Sequence, residues 1–498
     1  MAEHNNGQDG RSLLLPGGLM LGLTAIIALI VWQLGLQPRQ VLSVAVFALI
    51  VLGTLFFWSF RLAIAFLGVA ALLSCNVLNM PKFVESSSLE VILFLVGMMI
   101  VVGALRDLGF FTWIIQLIIG AKGMSGPRFI AVTSVTSALL ACAVDEVTSI
   151  LFMAVLIFQV CDTLKINPTP YLIISVMATN VGSAGTMLGN PVGIFIGTRA
   201  DLTFQDFMIW SFPIMLVCLF ATLGVVMLYF RREIRLFDER LQERKKRELG
   251  LGPKVKVAYG RGLAVLLGTI GLVAVHHVIE EQLDLETNTM LLMAPLISAG
   301  IIMIWRRHRA RHYVEQEVDW WTLLFFMLLF AVAGTLEHTQ VTDRMADGFV
   351  THLGTDVRVL VPSIVTITAI GSAFVDNVVF VAAFVPVVKQ LAATDVHGMP
   401  LWWALLFGAC FGGNITMIGS TANIVALGML EKRYRGHIRF LEWLKVGLLA
   451  GVVSCAIATG GVLIMSRWMP DRAAPEGILN SSPAIEESGS SPEMSQDH

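Results

Sequence analysis

The chain is built around one recurring unit, an apolar run close to the thickness of a membrane. "LMLGLTAIIALIVWQLGL", "VLSVAVFALIVLGTLFFW", "FPIMLVCLFATLGVVMLYF" and "VGLLAGVVSCAIATGGVLIM" are four instances spread from end to end. Each approaches the roughly 20 residues that carry a helix across about 30 Å of hydrocarbon. Charged residues make up 14% of the 498 residues and hydrophobic ones 56%, where a soluble chain carries about 25% charged. Such a composition excludes a soluble globular protein. The runs do not alternate, which excludes a β-barrel. The expected fold class is an all-α polytopic membrane protein.

The polar segments between the runs give orientation and boundaries. The N-terminus "MAEHNNGQDGRSLLLPGG" has neither a basic region nor a small-residue cleavage site, so the first apolar run reads as a retained helix rather than a signal peptide. Residues 1–39 form this extra N-terminal part, 40–230 a first transport repeat and 231–261 a basic linker. Residues 262–470 form a second repeat and 471–498 a tail rich in Ser, Pro and Glu that reads as disordered. Basic segments at 231–262, 306–312 and 431–437 place those loops in the cytoplasm, and the acidic "EEQLDLETN" (280–288) outside. The N-terminus then lies inside and the tail outside, in a plasma or inner membrane. Six cysteines show neither metal-ligand spacing nor a disulfide framework and read as packed hydrophobes. His276-His277 reads as an interfacial or packing pair.

The halves repeat. Gly103-Ala104-Leu105 matches Gly334-Thr335-Leu336 at an offset of 231 residues, and Asp145-Glu146-Val147 matches Asp376-Asn377-Val378 at the same offset. "TMLG" (186–189) then matches "TMIG" (416–419) at 230. Three landmarks in one order point to an ancestral duplication, and the loop charges orient the repeats oppositely, as in many secondary transporters.

Acids deep in apolar runs need a reason. Asp145 and Glu146 interrupt the stretch 128–163, and no Lys or Arg lies in its core. A charged residue at mid-membrane costs about 2.5–3.5 kcal/mol on insertion scales and marks function by default. Arms of about 128–144 and 148–163, slightly short for spans and basic at their ends (Lys122, Arg128, Lys165), predict a re-entrant hairpin with the acids at its tip. Its mirror, about 358–392, carries Asp376 and Asn377 at its tip. The clusters "ATNVGSAGTMLGNPVG" (178–193) and "GACFGGNITMIGSTAN" (408–423) concentrate Gly, Ser, Thr and Asn inside apolar flanks, and Pro191 cannot continue a helix. Each predicts a helix broken at mid-membrane. Two tips and two broken helices would make one central polar site.

In "AVDEVTSILFMAVLI", "NVGSAGTMLGNPVGI", "VDWWTLLFF", "SAFVDNVVFVAAFVPVV" and "GGNITMIGSTANIVA" the chain resembles the ArsB/NhaD ion-transporter superfamily: arsenite permeases, sodium–proton antiporters and P-protein-like transporters, with divalent-anion/sodium symporters more distant. The resemblance covers roughly residues 40–467. It implies about eleven spans, two re-entrant hairpins, a homodimer and elevator-type movement. It also implies binding residues, Asp145, Thr148, Asn180, Ser183, Thr186 and Asn190 in the first half and Asp376, Asn377, Asn414, Thr416, Ser420 and Asn423 in the second; Glu146, adjacent to Asp145, is a candidate from the residues alone. Glu146 stands where the family has Asn, Val379 where Thr is common, Asn190 in place of Asp and Gly193 in place of Asn.

The function expected is secondary active transport without an organic cofactor. H⁺ and/or Na⁺ is the coupling ion, with Na⁺ expected at Asp145, Asp376 and Asn377. Adjacent Asp145 and Glu146 titrate as a coupled pair that holds a proton or a cation, the exclusivity that antiport needs. The alternative is an anion or oxyanion such as arsenite, chloride or a carboxylate. With no Arg placed at mid-membrane, a di- or tricarboxylate is disfavoured. An intramembrane aspartic protease is remote, since neither acid sits in the Y-D and G-x-G-D contexts of those enzymes. A passive channel is a further alternative. The partners are the bilayer, a small ion and a second copy of the chain; nucleic acid is not one.

Overall fold

The computed structural model describes residues 9–246, 257–285, 289–394, 396–434 and 438–470. The expected tail (471–498), most of the linker beyond Lys246, and parts of the acidic and third basic loops lie outside the described residues. All regular structure among the described residues is helical.

Nine helices are long and apolar enough to cross a membrane, or ten if the bent pair Gly260–Ala274 and His276–Leu283 counts as one span. Length alone counts three hairpin arms as spans and omits helices that cross in pieces. Taking each hairpin as a return and each broken helix as one crossing, with Trp58–Ser74 and Thr289–Trp305 included, gives about eleven crossings among the described residues. The first candidate, Leu14–Gln33, has only 6% of its window buried, so lipid or another chain must cover it.

The hairpins follow from contacts along the chain. Helix Gly126–Ala143 packs on helix Thr169–Gly182, with Ser137 Oγ 2.6 Å from Ser175 Oγ and Cys142 Sγ 2.9 Å from the Gly182 carbonyl. Contacts that advance together along both helices make them parallel, so the intervening helix, Glu146–Leu164, returns the chain to its starting side. Lys245 and Arg244 bond the carbonyls of Met124 and Thr163, holding the two feet of this hairpin together. The second hairpin, Val357–Phe374 and Asn377–Ala392, repeats the arrangement. Gly408 lies on Val365 and Gly412 on Ala369, so Met399–Gly412 runs parallel to its first arm. The arms of the first hairpin, 18 and 19 residues, are longer than the sequence suggested. Ser125 caps the first arm through the Arg128 N–H, starting it earlier, and Lys165 ends the second in a left-handed conformation.

The wall helices Leu89–Asp107 and Trp320–His338 occupy equivalent places in the duplication. A Cβ on Gly103 would fall 2.6 Å from the Glu317 side chain, just before the second wall helix begins. Its mate Gly334 meets Ser86, just before the first begins, at 2.3 Å. Each wall helix therefore ends where the other starts. Equivalent helices that run antiparallel are related by an axis lying in the membrane plane, which makes the repeats inverted.

Candidate functional site

Each hairpin turns on an acid that caps the returning arm. Asp145 Oδ1 accepts from the Thr148 N–H at 2.7 Å, and Asp376 Oδ1 from the Val378 N–H at 3.0 Å. An N-cap acid satisfies donors that the first helical turn leaves free, so part of the reason for Asp at both tips is local. Capping occupies one oxygen of each. Thr421 donates to the other oxygen of Asp376 at 2.6 Å.

Glu146 is the first residue of the returning arm. It is 2% exposed. Its N–H reaches the Gly189 carbonyl at 3.0 Å, and the Ser420 hydroxyl lies 3.4 Å from Oε1. Oε2 is buried without a hydrogen-bond partner among the described residues. Ser183, Asn190 and the carboxylates of Asp145 and Asp376 surround it.

The broken helices meet beside it. Thr169–Gly182 stops at Ser183 and the chain resumes at Pro191; Met399–Gly412 stops at Gly413 and resumes at Thr421. Backbone crowding holds the unwound stretches to glycine: a Cβ on Gly189 would fall 2.1 Å from the Ser183 carbonyl oxygen. Asn180 is the hub. Its amide donates to Asn414 Oδ1 at 2.9 Å and Asn423 Oδ1 at 2.8 Å, and the Ser420 hydroxyl lies 3.1 Å from its carbonyl. Asn423 donates to the carbonyls of Gly413 and Thr416, and Asn190 caps the resumed helix at Gly193 while donating to Ser183 Oγ at 2.9 Å.

The geometry thus gathers Glu146, Asn180, Ser183, Asn190, Asn414, Ser420 and Asn423 into one buried cluster. Asp145 and Thr148 face a neighbouring cavity, with Asp376 and Asn377 on the opposing tip. Thr186 and Thr416 serve differently: their hydroxyls bond the Cys142 and Ala373 carbonyls, tying each unwound loop to its own hairpin. His276 bonds the Val273 carbonyl at 2.7 Å and is buried, a packing residue as its position suggested. Among the described residues no cluster of His, Cys, Asp and Glu could hold a metal ion.

A cavity of about 290 Å³ opens between the first hairpin and the wall helices. Asp145, Glu146, Glu317 and Asp319 contribute four carboxylates to its lining, against the single guanidinium of Arg106, which Glu317 holds at 2.8 Å. On the other side of the central cluster a cavity of about 70 Å³ lies between the second wall helix and the second hairpin. There Lys389 pairs with Glu337 at 2.9 Å and Ser86 with His338 at 3.1 Å. Glu337 and Ser86 are the duplication mates of Arg106 and Glu317, so the two cavities are equivalent spaces of unequal size.

One expectation needs correction. The hairpin cores hold no Lys or Arg, but Arg61, brought in from helix Arg61–Ser74, lies buried within electrostatic reach of Asp376 and Asp319. In sequence it follows an apolar run and nothing around it marks it out. Thr421, Glu317 and Asp319 were also missed. Thr421 and Asp319 lie inside motifs already quoted, whereas Glu317 sits in the polar stretch just before one.

Comparison with known proteins accords with this architecture. A family model described as CitMHS, citrate transporter, matches residues 47–408. An uncharacterized transporter of Mycobacterium tuberculosis is 34% identical over 376 residues, 74% of this chain and 84% of its own length. The P protein of Homo sapiens is 26% identical over 463 residues, 78% of this chain and 54% of its own. The crystal structure of the Alcanivorax borkumensis YdaH transporter superposes with a TM-score of 0.54 at 14% identity, covering 82% of this chain and 90% of that one, a likeness of fold. The chain is a multi-pass membrane transporter, not an enzyme, and belongs to the CitMHS citrate transporter family, within the ArsB/NhaD superfamily.

Proposed function

We propose that this transporter exchanges a monovalent cation, Na⁺ first among them, for protons by alternating access, with Glu146 and Asp145 as the exchanging groups. One observation carries the reading: the open cavity is lined by four carboxylates and one already paired arginine, and it leads to Glu146, whose Oε2 is buried without a partner. Such an oxygen is open to a proton or to a metal cation, and one excludes the other. The amide oxygens of Asn180, Asn414 and Asn423 and the Ser183 and Ser420 hydroxyls are hard oxygen donors of the kind an alkali ion takes in place of water.

The basic ends near Arg306, Arg309 and Lys245 argue that the larger cavity faces the cytoplasm, with the N-terminus inside. Unequal cavities in equivalent places are what one end state of an alternating carrier would have, the hairpins and broken helices moving against the wall helices. The sparsely buried first helix suits a dimer. The family's citrate description supports a second reading, a carboxylate anion, and Arg61 is the one feature that favours it. Four acids in the access route oppose a trianion.

The test is exchange in proteoliposomes under an imposed pH gradient, with Na⁺, Li⁺, K⁺, arsenite, chloride and citrate offered in turn. Dissipation by Na⁺ or Li⁺ that Glu146→Gln abolishes is expected. Dissipation by citrate or arsenite alone would overturn the cation reading.

A further inference from the structure

The two access cavities are equivalent by descent, but the side chains that line them are not. Phe330, which lines the smaller one, stacks on Phe195 with ring centroids 4.3 Å apart and planes 7° apart. The duplication offsets of 231 and 230 residues set Phe330 on Met99 and Phe195 on Val425. Met99 and Val425 both line the larger cavity. Where one half of the molecule packs two rings against each other, the other half leaves a thioether and an isopropyl group beside open space. The difference between about 290 Å³ and about 70 Å³ is thus partly a difference in residue size.

Much of the larger cavity's wall is apolar. Phe94, Met98 and Phe326 are buried side chains of the two wall helices, and Leu188 and Val378 face them from the unwound loop and the second hairpin. An ion that must replace its water with oxygen ligands gains nothing from such a wall, whereas the apolar body of a larger ligand gains by leaving water. A dry apolar cavity of roughly 150 Å³ accepts benzene, so this one has room for a ring and a charged head.

The same wall sets the sign of that head. Asp145, Glu146, Glu317 and Asp319 supply four carboxylates, and Arg106 is already held by Glu317 at 2.8 Å. Acidic and apolar surfaces adjoin, since the Asp319 N–H lies 3.4 Å from Met99 Sδ. A neutral ring would leave the carboxylates unanswered, and an anion would be repelled by them. A cation with an apolar body suits both surfaces.

We propose that the larger cavity binds a small monovalent organic cation with a ring-sized apolar body. Its ammonium head lies at the Asp145–Glu146 carboxylates and its ring against Met99 and Val425, in the space that Phe195 and Phe330 fill in the other half. This rests on the cation reading above for the carboxylates and adds a ligand class to it.

The probe is radiolabelled benzylammonium, bound to the full-length protein in detergent. Wild type is expected to bind it at least about tenfold more tightly than methylammonium, which has the head without the ring. Benzyl alcohol and benzoate should not displace it, Na⁺ should, and Glu146→Gln should weaken it. Val425→Phe and Met99→Phe restore the rings of the other half, and each should bring the benzylammonium-to-methylammonium affinity ratio towards one. Thermal unfolding reports whether these variants fold. Met99→Ala reads the same space by enlarging it, and should favour naphthylmethylammonium over benzylammonium relative to wild type. Equal wild-type affinities for benzylammonium and methylammonium, a ratio that folded Phe variants leave unchanged, or displacement by benzyl alcohol overturns the inference. Exchange in vesicles separates this proposal from the one it rests on. A ring preference without Na⁺/H⁺ exchange ends the antiport reading and leaves the organic-cation site standing; Na⁺/H⁺ exchange without a ring preference does the reverse.

Discussion

At the residue scale, two adjacent acids do different work. Asp145 ends a helix turn and caps the next through Thr148, whereas Glu146 has a buried oxygen with nothing to do. Asp145→Ala should cost about 1 kcal/mol of cap stability, and Asp145→Asn, itself a good cap, only a few tenths. Melting temperatures of the two variants check this. Glu146→Gln should leave the fold intact, since the amide keeps the shape of the carboxylate and its oxygen can still accept from Ser420. Exchange in vesicles should fall at least about tenfold, the loss expected when a proton-carrying group no longer titrates. Equal damage from Asp145→Asn and Glu146→Gln would refute this division of roles. Asn180 is a third case: Asn180→Ala removes the donor to both Asn414 and Asn423 and strands buried groups, at about 1–3 kcal/mol for each group left unsatisfied.

At the scale of elements, the fold is held by close approach between each broken helix and the first arm of its own hairpin. A Cβ on Gly182 would fall 2.4 Å from Ala138 backbone, and one on Gly412 would fall 2.5 Å from Ala369 backbone. Backbone cannot swing aside, so Gly182→Ala and Gly412→Ala should each cost about 1–3 kcal/mol by overpacking. Gly224, in a helix with nothing within 4 Å of its would-be Cβ, is the control: Gly224→Ala should be stabilising by up to about 1 kcal/mol. Thermal unfolding of the three separates contact from composition. These elements were also the most legible part of the sequence, because the duplication printed each of them twice: DEV against DNV and TMLG against TMIG. What stayed hidden occurs once. Arg61 has Leu292 at its mate position, and Glu317 and Asp319 enter the cavity only because inversion brings the start of one wall helix against the end of the other. The capping role of the tip acids was hidden for another reason. It depends on the helix restarting at the very next residue, and boundaries are the weakest inference from periodicity.

At the scale of the whole molecule, the inverted repeats make two access routes equivalent by descent, and their cavities differ in volume, about 290 Å³ against about 70 Å³. The smaller one is crossed by the Lys389–Glu337 pair at 2.9 Å and by Arg199, whose Nη2 reaches Ser88 Oγ at 2.6 Å. Both contacts join the hairpin and broken-helix elements to the wall. If the carrier alternates, these two must part when Arg106 and Glu317 close over Asp145. A bond that forbids parting should then stop transport without harming the site. Cysteines at positions 337 and 389, on a background in which the exposed Cys75 is replaced by serine, can be bridged with a short bifunctional thiol reagent, since the pair's long side chains set their backbones too far apart for a direct disulfide. Bridging is expected to abolish Na⁺/H⁺ exchange, and cleaving the linker should restore it. Na⁺ binding should persist in the bridged protein, because the open cavity reaches Glu146 from the other side. Exchange that continues while the bridge is intact would mean that the two cavities do not alternate, and that their difference in size is a fixed asymmetry of the channel they form.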